Sequence, residues 1–231
     1  MESKGKLYVV ATPIGNLKDI TYRAVDILNS VSFILAEDTR ESAKLLRRYN
    51  ISTPLVSYRD QNHFKMIGKI LEKLELGLNL ALVSDSGTPL ISDPGFKLVR
   101  ELREKGYIVE AIPGPSALVS ALSISGLPTD KFSFLGFLPK SNKRREDILR
   151  KYLELESTVV LYESPSRILA LLELLNVISK DCKVVLAKDL TKKREELLQG
   201  TPNSLLSVLR KRGYDKKAYG EFVVIISCQK G

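Results

Sequence analysis

Tryptophan is absent from this chain of 231 residues, histidine occurs once, and cysteine and methionine occur twice each. The lone histidine, His63, argues against a His-based nucleophilic triad and against a His-rich metal site. Cys182 and Cys228 show no metal-binding or redox spacing, and a reducing cytoplasm is the expected compartment. No apolar stretch approaches the roughly 20 residues of a membrane span. Residues 1–6 lead straight into a hydrophobic run, so no signal peptide is expected. Two common phosphate loops are also missing. Gly-x-x-x-x-Gly-Lys-[Ser/Thr] does not occur, and no Gly-x-Gly-x-x-Gly follows a strand. There is neither an internal repeat nor a low-complexity segment.

What is present begins with charge. The formal net charge is +9 and the hydrophobic content of 44% is ordinary for a globular protein. Residues 1–115 carry 16 basic and 14 acidic side chains, whereas residues 116–231 carry 20 and 13. The excess gathers in Lys140-Ser-Asn-Lys-Arg-Arg145, Lys192-Lys-Arg194 and residues 210–217. Such clusters suit a polyanion, because neutralised phosphates release counterions, but each alone also reads as solvated surface. The length accommodates one large domain or two small ones.

Five short apolar runs end in Gly, Pro, Ser, Thr or acidic residues. Leu7-Tyr-Val-Val10 leads into Ala11-Thr-Pro-Ile-Gly-Asn16, and Phe33-Ile-Leu35 into Ala36-Glu-Asp-Thr-Arg40. Leu80-Ala-Leu-Val83 leads into residues 84–95, Ile108-Val-Glu-Ala-Ile112 into Pro113-Gly-Pro-Ser116, and Val159-Val-Leu161 into Tyr162-Glu-Ser-Pro165. Runs of this kind alternating with helical stretches read as parallel strands of an α/β sheet, where ligands bind beyond the carboxyl ends. Helices are expected near 20–31, 41–49, 66–76, 97–105, 116–125, 145–155, 167–177 and 203–211. Further strands are expected near 132–135, 158–162, 183–187 and 220–227. The spacing of Asp38 to Glu41 suggests a capping box. Two α/β domains follow, residues 1–115 and 116–231, with the seam between 107 and 128.

Residues 84–95 form the densest cluster. Two aspartates, two prolines and two glycines within twelve residues predict a stiff, irregular loop whose backbone approaches something closely. A plain strand-to-helix connection is usually shorter. The other ends read two ways. Thr12-Pro-Ile-Gly-Asn16 can be a simple tight turn, Asp38-Thr-Arg40 a helix cap with an ion pair, and Ser164 or Ser166 an N-cap. Glu37 is harder to dismiss, since an acidic residue at a buried strand end needs a partner. Lys188-Asp189 adds a further charged strand end.

Taken in order, these residues resemble a family. Val10-Ala-Thr-Pro-Ile-Gly-Asn-Leu17, Ala36-Glu-Asp-Thr-Arg40, Ser84-Asp-Ser-Gly-Thr-Pro89 with Ile91-Ser-Asp-Pro-Gly95, Ile112-Pro-Gly-Pro-Ser-Ala117, Phe134-Leu-Gly-Phe-Leu-Pro139 and Tyr162-Glu-Ser-Pro165 occur together. The chain is similar from Leu7 to Ser227 to the bacterial 16S rRNA (cytidine-2′-O)-methyltransferases, of the tetrapyrrole-methylase-like superfamily. The resemblance implies a two-domain α/β, class III methyltransferase fold with an S-adenosylmethionine cleft between the domains, and a homodimer. It places cofactor contacts at Pro13, Asp85, Gly87, Thr88, Pro89, Ile91, Ser116, Ala117 and Tyr162. It also has departures: Ser86 where Ala is usual, Ser166 where His is frequent, Lys188-Asp189 for Arg-Glu or Lys-Glu, and Ala218-Tyr-Gly-Glu-Phe222 for a Lys-Gly-Glu-like run. The sequence ends at Gly231, without the small helical extension many members carry, so part of the usual RNA grip is expected to be missing or supplied by the basic segments.

Methyl transfer to a ribose hydroxyl needs positioning and a group that takes the proton. The candidates for proton handling or substrate orientation are Glu37, Asp38, Arg40, Asp85, Glu163 and Lys188, and no metal is required. Arg40, Arg59, Arg167 and the 140–145 loop with Lys143, Arg144 and Arg145 are candidate phosphate contacts, which would be independent of sequence. Small-subunit ribosomal RNA is the expected partner, with an unpaired nucleotide as target. The alternatives are a tetrapyrrole carbon methyltransferase and a non-catalytic RNA-binding module.

Overall fold

A computed structural model describes residues 4–228, and the chain divides into two units after Ser116. The expectations about the first residues and about the end at Gly231 lie outside the described residues. In the N-terminal unit, β1 (Leu7–Val10), β2 (Phe33–Ala36), β3 (Leu55–Ser57), β4 (Leu80–Val83) and β5 (Val109–Ile112) make one sheet in the order β3-β2-β4-β1-β5. Every pairing in it is parallel. The connections carry α1 (Tyr22–Ser30), α2 (Thr39–Arg48), α3 (His63–Glu75) and α4 (Phe96–Glu104).

Strand alternation assigns these helices to faces. Ala81 and Val83 of β4 pack with Ala24 and Leu28 of α1 and Leu46 of α2. Leu80 and Leu82 pack with Ile70 and Leu74 of α3 and Leu98 and Leu102 of α4. Both faces of β4 are therefore covered, which is why all four of its residues are apolar and buried rather than alternating. The apolar stripes of the helices repeat at three- and four-residue spacing, matching that burial.

The C-terminal unit contains α5 (Ala117–Ile124), β6 (Phe132–Phe137), α6 (Asn142–Leu153), β7 (Thr158–Glu163), α7 (Ile168–Ile178), β8 (Lys183–Lys188), β9 (Glu196–Gly200), α8 (Pro202–Lys211) and β10 (Phe222–Ser227). Its sheet order is β6-β7-β10-β8-β9. Only β6 and β7 are parallel; β10 runs against both β7 and β8, and β8 against β9. The expectation of parallel strands is thus corrected for this unit. β10 enters between β7 and β8 from the opposite end, and its six residues are all buried. Val224 and Ile226 join Leu161, Leu186 and the leucines of α7 and α8 in one core.

Three local expectations change. β9 was not anticipated: it is an edge strand whose alternate residues are exposed, and two leucines give little periodicity to read. The basic segment 140–145 is not a loop throughout. Helix α6 starts at Asn142, so Lys143, Arg144 and Arg145 occupy its first turn. The cysteines, which show no metal-binding or redox spacing in the sequence, lie side by side across β8 and β10. Register accounts for it: Ser227 pairs with Lys183, which sets Cys228 opposite Cys182 with Cα atoms 4.4 Å apart. No helix among the described residues is long and apolar enough to cross a membrane.

Candidate active site

The parallel order of the N-terminal sheet brings the carboxyl ends of β1, β2, β4 and β5 to one edge. The loop after β4 has a neighbour on either side and is bonded to all of them. Thr12 N donates to Gly87 O at 2.8 Å and Gly87 N to Thr12 O at 3.1 Å. The Thr12 hydroxyl lies 3.3 Å from the carbonyls of both Ser84 and Gly87. Asp38 N donates to Asp85 Oδ1 at 2.9 Å, and Thr88 Oγ1 to Pro115 O at 3.0 Å. Further on, Gly95 N donates to Asp60 Oδ1 at 3.1 Å. These bonds fix an irregular backbone that has no strand or helix of its own.

Gly87 is required there. Its φ of +81° is one that side chains rarely adopt, and a Cβ would meet Ile14 Cγ2 at 3.3 Å. Leu90 and Ser92 are also left-handed, at φ 71° and 67°. Such residues persist at a cost of about 1 kcal/mol or more each only where the surroundings over-determine them. Pro13 and Pro89 are buried on either side of the Thr12–Gly87 bridge, while Ile91 stays exposed. The capping box forms only half as expected. Asp38 caps α2 by accepting from Arg40 N, but the Asp38 N–H goes to Asp85, and Glu41 instead pairs with Lys44 at 2.7 Å.

Carboxylates dominate this edge, and their surroundings separate them. Burial, then the charge of Asp85, pushes the Glu37 carboxyl above its ordinary range, against an opposing pull from Arg59. Arg59 is held by its Nε donating to Glu37 O at 3.1 Å. Burial pushes Asp93 up to about 6; the Ser84 hydroxyl partly offsets this, and the Glu37 and Asp85 charges add to it. Asp38 goes the other way. The Arg40 guanidinium donates to it at 3.0 and 2.6 Å and, with the Arg40 backbone N–H, holds it well below the carboxylate range. A carboxylate so held is a poor proton acceptor near neutrality, whereas Glu37 is a better one. Reading the sequence assigned Asp93 no role of its own within the 84–95 loop and missed Asp60 as a member of this edge. The available signal was an acidic residue beside Pro94 in the first case and beside Arg59 in the second.

In the C-terminal unit the strand ends carry buried charge instead. Glu163 closes β7 with its side chain fully buried, accepts from Ser164 N at 2.8 Å, and lies 3.3 Å from Arg167 Nε. Arg167 also donates to the carbonyls of Leu138 and Pro139 at 2.8 and 3.2 Å. The guanidinium expected on a phosphate thus ties the β6–α6 connection to β7. Glu163 Oε2 has no partner among the described residues. Lys188 closes β8, 3% exposed, with Asp189 Oδ2 at 3.4 Å and the Tyr219 ring at 4.5 Å. Gly220 makes room for it, since a Cβ there would sit 2.6 Å from Lys188 Cε. Both Glu163 and Lys188 are in register with Phe222, so they share one face about 10 Å apart by strand spacing. Tyr162 lies on the other face, against Phe134 and Phe137. Ser116 ends the first unit and Ala117 opens α5.

Of the basic residues near 140–145, Lys143 and Arg144 are exposed. Arg145 is corrected: it is 5% exposed and turned onto Asn142 Oδ1 at 3.2 Å, so its buried guanidinium does not face a polyanion.

The family described as Tetrapyrrole (Corrin/Porphyrin) Methylases matches residues 6–205. A protein named Ribosomal RNA small subunit methyltransferase I from Vibrio cholerae is 47% identical over 95% of this chain and 76% of its own length. The protein of that name from Thermotoga maritima is 44% identical over 96% of this chain and 98% of its own. The chain belongs to this ribosomal RNA methyltransferase family. As a member it has the tetrapyrrole-methylase-like, class III fold. A diphthine synthase superposes with a TM-score of 0.72 at 13% identity, covering 97% of this chain and 90% of that one. A cobalt precorrin-4 methyltransferase superposes at 0.67 and 18%, covering 96% and 94%. At such identities the likeness is one of fold, and the tetrapyrrole alternative loses ground to the much nearer ribosomal RNA relatives.

Proposed function

We propose that this chain transfers the methyl group of S-adenosylmethionine to the ribose 2′-hydroxyl of a cytidine in small-subunit ribosomal RNA, as a cytoplasmic homodimer. The observation that carries the reading is the loop of residues 84–95, bonded to three neighbouring strand ends, in a chain nearly half identical to ribosomal RNA methyltransferases over almost its whole length. When bound, the cofactor supplies a methyl on a positively charged sulfur. The residues fit such a group in their charge: Glu37, Asp85 and Asp93 give the edge a negative field that favours a cation. Pro13, Thr88, Pro89, Ile91 and Ser116 of the N-terminal unit would hold it.

The ribose hydroxyl must lose its proton as its oxygen takes the methyl. Among the candidates Glu37 suits that task, because burial and Asp85 raise its proton affinity. Asp38 and Arg40 are spent on each other and orient the start of α2. Glu163 and Lys188 act through position, Glu163 by holding Arg167 and Lys188 as a buried cation at its strand end. Lys143, Arg144 and Arg59 are the phosphate contacts.

The test is methyl transfer from labelled cofactor to small ribosomal subunits, free 16S RNA and a tetrapyrrole in parallel. Label is expected on the ribosomal substrates; label on the tetrapyrrole alone would overturn the reading. Glu37→Gln should lower kcat by about 10²–10⁴ with cofactor affinity kept within a few fold. An unchanged kcat would remove Glu37 as the base.

A further inference from the structure

The charge count of the sequence points to the C-terminal half, yet several of those cations are matched within the fold. Lys192 pairs with Glu221 at 2.7 Å, Arg210 with Glu173 at 2.6 Å and Arg212 with Glu196 at 2.6 Å. The N-terminal unit, nearly neutral by count, distributes its charge unevenly. On α3 the exposed face carries Lys65 and Lys69, which make no ion pair among the described residues. On α4, Arg100 is exposed, with Glu104 3.7 Å away. Two large aromatic rings stand among these cations: Phe64 is 82% exposed and Phe96 59%.

Neither ring is loose. Lys97 Nζ lies 5.7 Å from the Phe64 centroid and Arg100 Cζ 5.4 Å from that of Phe96. The buried His63 ring props Phe64 at 5.4 Å, and His63 is itself fixed between Tyr58 and Glu101. Lys97 Nζ also donates to Asp60 O at 3.3 Å, which ties the start of α4 to the loop before α3. Because β3 and β4 are parallel, both helices start at the edge of the sheet that holds the carboxylates and Gly87. Exposed apolar rings of this size are expensive to leave in water without a partner.

We propose that this aromatic and basic face of α3 and α4 is an RNA-contacting surface, on which unpaired bases stack on Phe64 and Phe96 while Lys65, Lys69 and Arg100 neutralise adjacent phosphates. Charge decides between partners. In a two-fold self-interface the same patch would meet itself and set cations against cations, whereas a nucleic acid strand satisfies rings and cations together. Stacking is tolerant of base identity, so the surface contributes affinity and position rather than cytidine selection.

The proposal rests on the ribosomal RNA reading, so binding and transfer are read separately. Phe64→Ala/Phe96→Ala leaves the packed core untouched. It is expected to weaken binding to transcribed small-subunit ribosomal RNA on the order of tenfold or more, to raise KM for small subunits, and to leave kcat and calorimetric S-adenosylmethionine affinity unchanged. Phe64→Tyr/Phe96→Tyr keeps the stacking faces and should restore RNA binding. Lys65→Ala/Arg100→Ala should flatten the dependence of log affinity on log salt by about 1–2. Equal RNA affinity in the alanine variant overturns the proposal. So does a changed sedimentation coefficient with RNA affinity per protomer preserved, which would make the face a protein interface. Wild-type protein that binds cofactor but methylates no ribosomal substrate would instead sink the proposed function.

Discussion

The two units build their strand ends from different materials. In the N-terminal unit the edge is made of backbone: a two-bond bridge between Thr12 and Gly87, loops joined through Asp38 and Pro115, and residues held in left-handed conformations. In the C-terminal unit it is made of buried side-chain charge, Glu163 with Arg167 and Lys188 with Asp189 and Tyr219. The parallel sheet delivers four loops to one edge, so neighbouring main chains can bond to one another. The mixed sheet brings β7 and β8 out beside the entry of β10, where Asp189 N donates to Glu221 O at 2.9 Å and buried polar side chains complete the end. The N-terminal edge therefore depends more on main-chain geometry and the C-terminal edge more on buried charge, although Gly220 beside Lys188 also excludes a Cβ.

That contrast can be broken by substitution. Glu163→Gln removes a buried carboxylate from Arg167 and should destabilise the C-terminal unit by about 2–3 kcal/mol; Arg167 keeps its two carbonyl acceptors, which limits the loss. Urea unfolding checks it, and a loss below about 0.5 kcal/mol would deny the charge-built description. Gly87→Ala should cost about 1–2 kcal/mol through its φ and the contact with Ile14, while lowering cofactor affinity tenfold or more. Full cofactor affinity in that variant would show that the bridge is not part of the binding edge.

A third test is a pH dependence. Asp93 has its folded pKa raised from 3.8 to about 6, so the folded state binds the extra proton. Its contribution to stability is present below pH 4 and is lost as pH rises toward 6. The melting temperature of Asp93→Asn relative to the parent should consequently climb from pH 4 to 6 and then level off. A flat difference across that range would mean that Asp93 is not desolvated as described.

Much of this was legible in the sequence, for physical reasons that also mark its limits. β4 and the loop after it were readable because an unbroken apolar run followed by Gly87, Pro89, Pro94 and Gly95 admits few other structures. The ends of α1 to α4 were readable to within a residue, whereas their starts were less so, α3 beginning at His63 rather than near 66. The direction of β10 was not, since an apolar run of six looks the same in a parallel or antiparallel neighbourhood. Nor was the partnership of Arg167 with Glu163 and two carbonyls, which competes with a phosphate contact and depends on where β6 ends. Arg145 was misjudged because a cluster of basic residues does not say which member the first helical turn points inward. The closeness of Cys182 and Cys228 depended on register, and register is invisible in a spacing of 46 residues.

The Thr12–Gly87 bridge also orders events during synthesis. Its two residues are 75 apart, so the bridge cannot close until β4 has left the ribosome and docked beside β1. Thr88 waits longer, for Pro115 and the strand before it. In every shorter folding intermediate of the N-terminal unit the edge proposed to hold the cofactor is consequently incomplete.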